Sequence, residues 1–253
     1  MPYMPEGSEL PRIKRDLMIA NRILAHENVV DTFGHVSVRH PDHRDHFLLS
    51  RARSPELVTI EDIMELDLAG NPSDGDQRER YIERFIHAAI YEARPDVGAV
   101  VHSHADEVLP FTVSETPLRP VLGAAKSIGK HAPVWDIDEQ FGDATNLLVQ
   151  NMDHGRALAA RLGPNKVVLM RGHGFAAAAS SLLEAVTIAV YMPRNAKIYL
   201  DALRLGAVKT LSDGEIGPAS ANRGGTGNQR AWEYWTRRAG FDYEPGGYAP
   251  LSS

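Results

Sequence analysis

The apolar positions of the first recognisable element, Ile13, Leu17, Met18, Ile23 and Leu24, recur at helical spacing and predict a helix over residues 12–26. The period then falls to two. HVSVR at 35–39 and HFLLS at 46–50 read as short strands, and TIEDIMELDL at 59–68 reads as a helical turn running into a third. NPSDGDQ at 71–77 is turn chemistry. Helical spacing returns over 78–95, where Pro95 closes the element. VGAVVHSH at 97–104 is rich in β-branched residues and predicts a buried strand. Prolines 110, 117, 120 and 133 divide the next stretch into expected short strands and loops. A helix is expected over 144–163, stopped by Gly163 and Pro164, and KVVLMRGHGFAAAA at 166–179 reads as two strands around a Gly-His-Gly turn. Residues 181–204 form another helical pattern, which Pro193 should kink or end at its first half. A polar, glycine-rich stretch at 214–229 precedes a last expected helix at 230–240.

Strands and helices mix without a regular βαβ rhythm, no internal repeat is visible, and no composition break marks a linker. The expectation is one α/β domain over residues 1–253, with a flexible C-terminal extension from about residue 212. Composition narrows the function classes by exclusion. A net charge of −6 argues against nucleic-acid and membrane-surface roles. With no cysteine, disulfides and thiolate metal sites are excluded, so any metal must use histidine, carboxylate or water. The N-terminus lacks an apolar signal core and no stretch is long enough to span a bilayer, which makes a cytoplasmic location the default expectation.

Candidate chemistry starts at AVVHSHADE. His102 and His104 sit one residue apart at the end of an apolar run, so on a strand their side chains share one face. Either the strand ends in a polar turn, or something sits between the rings. His173, flanked by Gly172 and Gly174, is a third accessible imidazole. Three imidazoles are a common catalytic set for zinc and similar ions, with a further position left open. The helix before the His-x-His pair adds Glu83, and His87 lies four residues on, so the two should stack on one helix face. His87 reads as a core or supporting histidine rather than a ligand.

Glu83, the RPDVGAVVHSH segment and the later Gly-His-Gly together resemble the class II aldolase/adducin family, over about residues 11–205. FGHVSVRHP is similar to that family's Gly-Asn-x-Ser-x-Arg segment. The resemblance implies a three-layer α/β/α domain around a mainly antiparallel sheet. It also implies a divalent metal held by His102, His104 and His173, with Glu83 as a ligand or as an acid/base, and a homo-oligomer, usually a tetramer. Manganese, zinc, iron and cobalt all suit such a set.

Departures from the sugar-phosphate aldolases of that family direct the reading further. His35 stands where they usually carry asparagine, and LLSRARSPEL at 48–57 replaces their Ser-Gly-rich phosphate loop. A phosphate cradle needs small residues so that backbone N–H groups can approach. Arg51 and Arg53 instead offer guanidinium forks that suit planar carboxylates, although solvated loop arginines have the same sequence signature. Residues 16–41 and 50–68 resemble the branch of 3-hydroxy-2-methylpyridine-4,5-dicarboxylate and 3,4-dihydroxyphthalate decarboxylases, which also resembles oxygenases of prenylated hydroxyaryl-pyruvates.

The leading expectation is therefore a metal-dependent decarboxylase of a small anionic hydroxy-aromatic carboxylate. His35 or Glu83 would handle the ring proton, Arg51 would clamp a carboxylate, and Ser37 and Ser50 would orient it. A metal-dependent aldolase of a small hydroxy-carbonyl compound and a non-haem iron oxygenase of hydroxyaryl acids are the alternatives. A metal-free adducin-like interaction module would need none of the four metal-site residues. Aromatic residues of helix 181–204 and Trp232, Tyr234 and Trp235 of the tail suit either a subunit interface or the chain's own core.

Overall fold

The computed structural model describes residues 9–73, 75–217 and 226–242. Helix α1 (Leu10–His26) carries Pro11 in its first turn, where the missing N–H costs nothing, and buries Ile13, Leu17, Ile19, Ile23 and Leu24 along one stripe. Strands β1 (His35–Arg39), β2 (His46–Ser50) and β3 (Ile63–Asp67) follow, then helix α2 (Arg84–Ala93) and strand β4 (Ala99–Ser103). Strand β5 (Val134–Trp135) and helix α3 (Met152–Leu162) precede the hairpin of β6 (Val167–Met170) and β7 (Gly174–Ala179). Helix α4 (Leu182–Leu205) and helix α5 (Thr226–Arg238) complete the order.

The seven strands form one sheet in the order β3-β2-β1-β4-β7-β6-β5, antiparallel except for the β5–β6 pair. Side-chain alternation divides its two faces. Val36, Val38, Ala99, Val101, Phe175 and Ala177 pack under α1 and α4, with α5 on the same side. Phe47, Leu49, Val100, Val168, Ala176 and Ala178 pack under α2 and α3. The result is the expected α/β/α layering around a mainly antiparallel sheet. Among the described residues, no helix is long and apolar enough to cross a membrane.

Four sequence expectations need correction. The helix placed at 78–95 begins at Arg84. The preceding turn is held by tertiary bonds instead, with Arg84 Nε donating to the Gly70 carbonyl at 2.8 Å and Arg84 Nη1 to the Tyr81 carbonyl at 3.0 Å. The helix placed at 144–163 begins at Met152. Leu147 takes a left-handed backbone (φ 64°), and the Asn151 side chain accepts the His154 N–H as an N-cap at 2.9 Å. Pro193 does not end its helix: α4 runs through it for 24 residues, because buried side chains on both sides of the proline hold the two halves against the sheet. Between residues 109 and 128, the expected short strands are replaced by a helical turn (Leu109–Thr112) and a 3-10 segment (Gly123–Ile128).

The C-terminal extension expected from residue 212 lies partly outside the described residues. Within them, Trp232 and Trp235 are buried against the chain's own core, and only Tyr234 of that aromatic group is exposed.

Candidate active site

The sheet brings the candidate residues together through register. His35 on β1 lies directly opposite His102 on β4, and both point, with Ser37, to the α2 face. His104 follows the end of β4, and His173 sits in the β6–β7 turn. That turn crosses very close to β4. A Cβ on Gly174 would lie 2.1 Å from the Ser103 carbonyl oxygen, so only glycine fits there, and Gly172 supplies the positive φ of 63° that turns the chain back.

Glu83, the residue just before α2, completes the cluster. Its Oε1 accepts the Val149 N–H at 3.0 Å, and its Oε2 stands 3.3 Å from His102 Nε2, 3.3 Å from His173 Nε2 and 4.0 Å from His104 Nε2. The three imidazoles meet at their Nε2 atoms, with His104 Nε2 2.8 Å from that of His102 and 2.9 Å from that of His173. One ligand atom from each of Glu83, His102, His104 and His173 lies within 4.8 Å of all the others. The segment expected as helix at 144–151 contributes directly. His173 Nδ1 donates to the Leu147 carbonyl at 2.8 Å, while His102 Nδ1 donates to the Phe175 carbonyl at 3.1 Å. Those bonds fix both rings with the Nε2 lone pair facing the centre, the tautomer a metal requires. Lone pairs so close repel unless a cation lies between them, and a carboxylate facing the same point adds negative charge. The donor set therefore fits a divalent ion of the kind that takes nitrogen and oxygen ligands.

The electrostatics agree with that reading. Burial alone would raise the Glu83 carboxyl, but the facing His102 and His173 imidazoles outweigh it and hold the group well below the usual carboxylate range. Burial, and then the neighbouring His102 and His173, push His104 down to about 3. Burial alone would lower His173, but Glu83 outweighs it and raises that imidazole, so a cation entering between the neutral His104 and the ionised carboxylate takes the place of a proton there.

His35 and His87 form a second, wholly buried layer. His35 Nδ1 lies 2.6 Å from His87 Nε2, and His87 Nδ1 lies 2.6 Å from Ser37 Oγ, which is 2.8 Å from the Tyr91 hydroxyl. The His35 ring is 5.1 Å from that of His102 and 4.5 Å from that of Tyr81. Glu83 and His87 do not stack along one helix face. Glu83, outside the helix, turns to the three histidines, whereas His87 backs His35. Ser37, expected to orient substrate, is fully buried and its hydroxyl is spent on His87 and Tyr91.

Burial, with a contribution from His102, pushes His87 down to about 3 from an ordinary value of 6.5. Between those values the unfolded chain binds the extra proton and the folded chain does not. The stability is therefore complete above pH 6.5 and falls as pH drops toward 3. This one residue contributes a slope of about 1.4 kcal/mol per pH unit. Calorimetry of metal-free protein should show a Tm that declines below pH 6.5, and His87→Gln should flatten the decline. A wild-type Tm constant down to pH 4.5 would contradict the assignment.

The arginine loop joins this site through Tyr81, a residue the sequence reading passed over although it stands two positions before Glu83. The Tyr81 hydroxyl donates to the Arg53 carbonyl and accepts from Ser50 Oγ at 3.3 Å. Both arginines converge on buried Asp62: Arg51 Nε at 2.6 Å from its Oδ1, and Arg53 Nη1 at 2.7 Å from its Oδ2. Desolvation raises the Asp62 carboxyl, but the Thr59 N–H and Arg51 outweigh it and bring it to about 2. Neither arginine is a free loop side chain. A cleft of about 230 Å³ also opens beside His104, but Asp31, Asp106 and Glu107 line it, a poor seat for an anion.

Comparison with known proteins agrees with this geometry. The model of the class II aldolase and adducin N-terminal domain matches residues 15–200. The chain is 38% identical over 204 residues to the decarboxylase tropJ of Talaromyces stipitatus, covering 76% of this chain and 77% of that one. It is 30% identical over 229 residues to the 3,4-dihydroxyphthalate decarboxylase of Arthrobacter keyseri, covering 86% of this chain and 90% of that one. The solved L-fuculose 1-phosphate aldolase of Glaciozyma antarctica shares the fold, with a TM-score of 0.75 and 21% identity, covering 94% and 93% of the two chains. By sequence match and by architecture alike, the chain belongs to the class II aldolase and adducin N-terminal domain family.

Proposed function

We propose that the protein is a divalent-metal-dependent decarboxylase of a small hydroxy-aromatic carboxylate. The observation that carries this is the convergence of Glu83, His102, His104 and His173 within 4.8 Å, beside His35 and an arginine-bearing loop. The names of the two decarboxylase relatives support the same class of reaction. His102, His104 and His173 would hold the ion, and Glu83 would ligate it or act beside it. When bound, the ion supplies a Lewis acid for the substrate oxygen that takes up the electron pair of the broken C–C bond.

The chain's own residues do the rest. Arg51 faces a substrate carboxylate; its pair with Asp62 engages Nε, and its terminal nitrogens have no other partner among the described residues. Ser50 and Tyr81 position the loop. The ring carbon that loses carbon dioxide takes up one proton: ionised Glu83 accepts the substrate hydroxyl proton and returns it to that carbon, the product oxygen is reprotonated from solvent on release, and His35 holds the substrate through an N–H hydrogen bond. Asp62 orients Arg51 through Nε, and because this one carboxylate is shared by two guanidinium groups, the loop keeps a net positive charge for a substrate carboxylate.

Arg51→Ala should lower kcat/KM for an aromatic dicarboxylate about 10- to 150-fold, the loss of one charge-assisted contact of about 1.5–3 kcal/mol, with metal content unchanged. Hydroxyphthalates and hydroxypyridine dicarboxylates would be assayed for carbon dioxide release, beside fuculose and ribulose phosphates for aldehyde release. Efficient cleavage of a sugar phosphate with no decarboxylation anywhere in the panel would overturn the reading in favour of the aldolase. The protein is further proposed to be a homotetramer. Exposed Ile198, Leu203, Leu205 and Tyr234 on α4 and α5 offer apolar surface for a partner subunit. A stable monomer by light scattering at assay concentration would contradict it.

A further inference from the structure

The hydrogen bonds behind His35 have a direction. Four side chains form one line, Tyr91, Ser37, His87 and His35, and none exposes more than 3% of its surface. Solvent therefore cannot complete their bonding, and because four hydrogens share three links, one hydrogen must leave the line at one of its ends. Ser37 has one hydroxyl hydrogen and two neighbours. If it donated to Tyr91, the phenol hydrogen would have no acceptor among the described residues. The other polar group at that oxygen is the Val100 backbone N–H, itself a donor, and the Arg39 guanidinium lies over the ring face. If Tyr91 and His87 Nδ1 both donated to Ser37, the serine hydrogen would be stranded instead. The remaining arrangement sends the surplus hydrogen toward the site: Tyr91 donates to Ser37, Ser37 donates to His87 Nδ1, His87 Nε2–H donates to His35 Nδ1, and His35 Nε2–H is left for a ligand.

We infer that the Tyr91–Ser37–His87 line holds His35 in its Nε2–H tautomer, so that His35 presents a hydrogen-bond donor to the substrate and not a lone pair to the metal. The fold then uses opposite tautomers for opposite tasks. His102 and His173 donate from Nδ1 to backbone carbonyls and turn bare Nε2 atoms inward. His35, one strand away and directly opposite His102, accepts at Nδ1 and turns an N–H outward. This is why a fourth imidazole, 5.1 Å from His102 by ring centroids, stays out of the ligand set. Ser37 and His87 are positioning residues that act through His35. The substrate-facing part of this inference rests on the proposed reaction; the tautomer does not.

The test is nitrogen-15 NMR of histidine-labelled, zinc-loaded protein, with the His35 signals assigned by their loss in His35→Gln. The expected spectrum shows His35 protonated at Nε2 and bare at Nδ1. A ring protonated at Nδ1 would overturn the inference. Ser37→Ala removes the hydrogen that fixes His87, and its His35 signals should move toward the Nδ1–H form. Tyr91→Phe should keep the wild-type pattern, because Ser37 still has His87 as its acceptor. A purely Nε2–H ring in Ser37→Ala would show that the line does not set the tautomer. In turnover, Ser37→Ala should lower kcat about 10- to 100-fold, with KM and zinc content near wild type. A relaxed tautomer with unchanged kcat would overturn the donor role. If no hydroxy-aromatic acid is decarboxylated but the spectra behave as described, the tautomer assignment stands and the proposed reaction is what fails.

Discussion

Glu83→Gln is expected to leave a folded protein that still takes up metal and to lower kcat by about 10² or more. The geometry separates the two roles of this side chain. Its Oε1 accepts the Val149 N–H at 3.0 Å, and a glutamine oxygen can keep that bond, so the turn before α2 should survive. The atom at the Oε2 position changes from an ionised oxygen to an amide NH₂. It then offers hydrogens to His102 and His173, where the carboxylate, held ionised by those imidazoles, offered negative charge and a proton acceptor. The three histidines remain to bind the ion, although more weakly without the carboxylate. Carbon dioxide release beside elemental analysis of the same sample is the measurement. Near-normal turnover would remove Glu83 from the mechanism.

The second large effect belongs to the metal. Elemental analysis of wild-type protein should find about one divalent ion per chain, and His102→Ala should lose most of it, with activity falling in parallel. His102 is fully buried, and its ring bridges the Phe175 carbonyl and the centre of the cluster. Alanine therefore deletes a ligand and also one hydrogen bond to a buried carbonyl, which costs about 0.5–1.5 kcal/mol in stability. His102→Gln, which can still donate to that carbonyl, separates the two losses: it should fold better than the alanine variant yet remain poor in metal. Chelation of wild-type protein followed by readdition of manganese, zinc, iron or cobalt would rank the ions by recovered activity. Full metal and full activity in His102→Ala would mean that the site lies elsewhere.

Much of this site was legible because the determinants are local. Alternation alone places His102 and His104 on one face, and paired glycines mark the turn that carries His173. The strands 35–39 and 46–50 match the structure residue for residue; both of their faces are buried, and the alternation sorts Val36, Val38 and Leu48 to one core and Phe47 and Leu49 to the other. The helix ends were harder. Residues 144–151 carry helix-compatible side chains, but their backbone is worth more as the acceptor for His173 and the donor to Glu83, and propensity yields to those tertiary bonds.

The partners of polar side chains were not legible at all. Arg51 reads as a free clamp in the sequence, yet Asp62, eleven residues on, claims its Nε. Ser37 reads as a residue facing substrate, yet it serves His87 from behind. Tyr81 left no signal beyond its distance from Glu83, because its role comes from touching His35 and the Arg53 carbonyl at once. What the sequence by itself determined was the set of ligand types and the faces they occupy, consequences of period, residue chemistry and backbone freedom, while the layered architecture was expected only through the resemblance to the family. Only the tertiary structure decided which lone pairs meet. Strand register sets His35 against His102, and the choice of acceptor for each buried hydrogen depends on atoms brought together from β1, β4, α2 and the turn before α3.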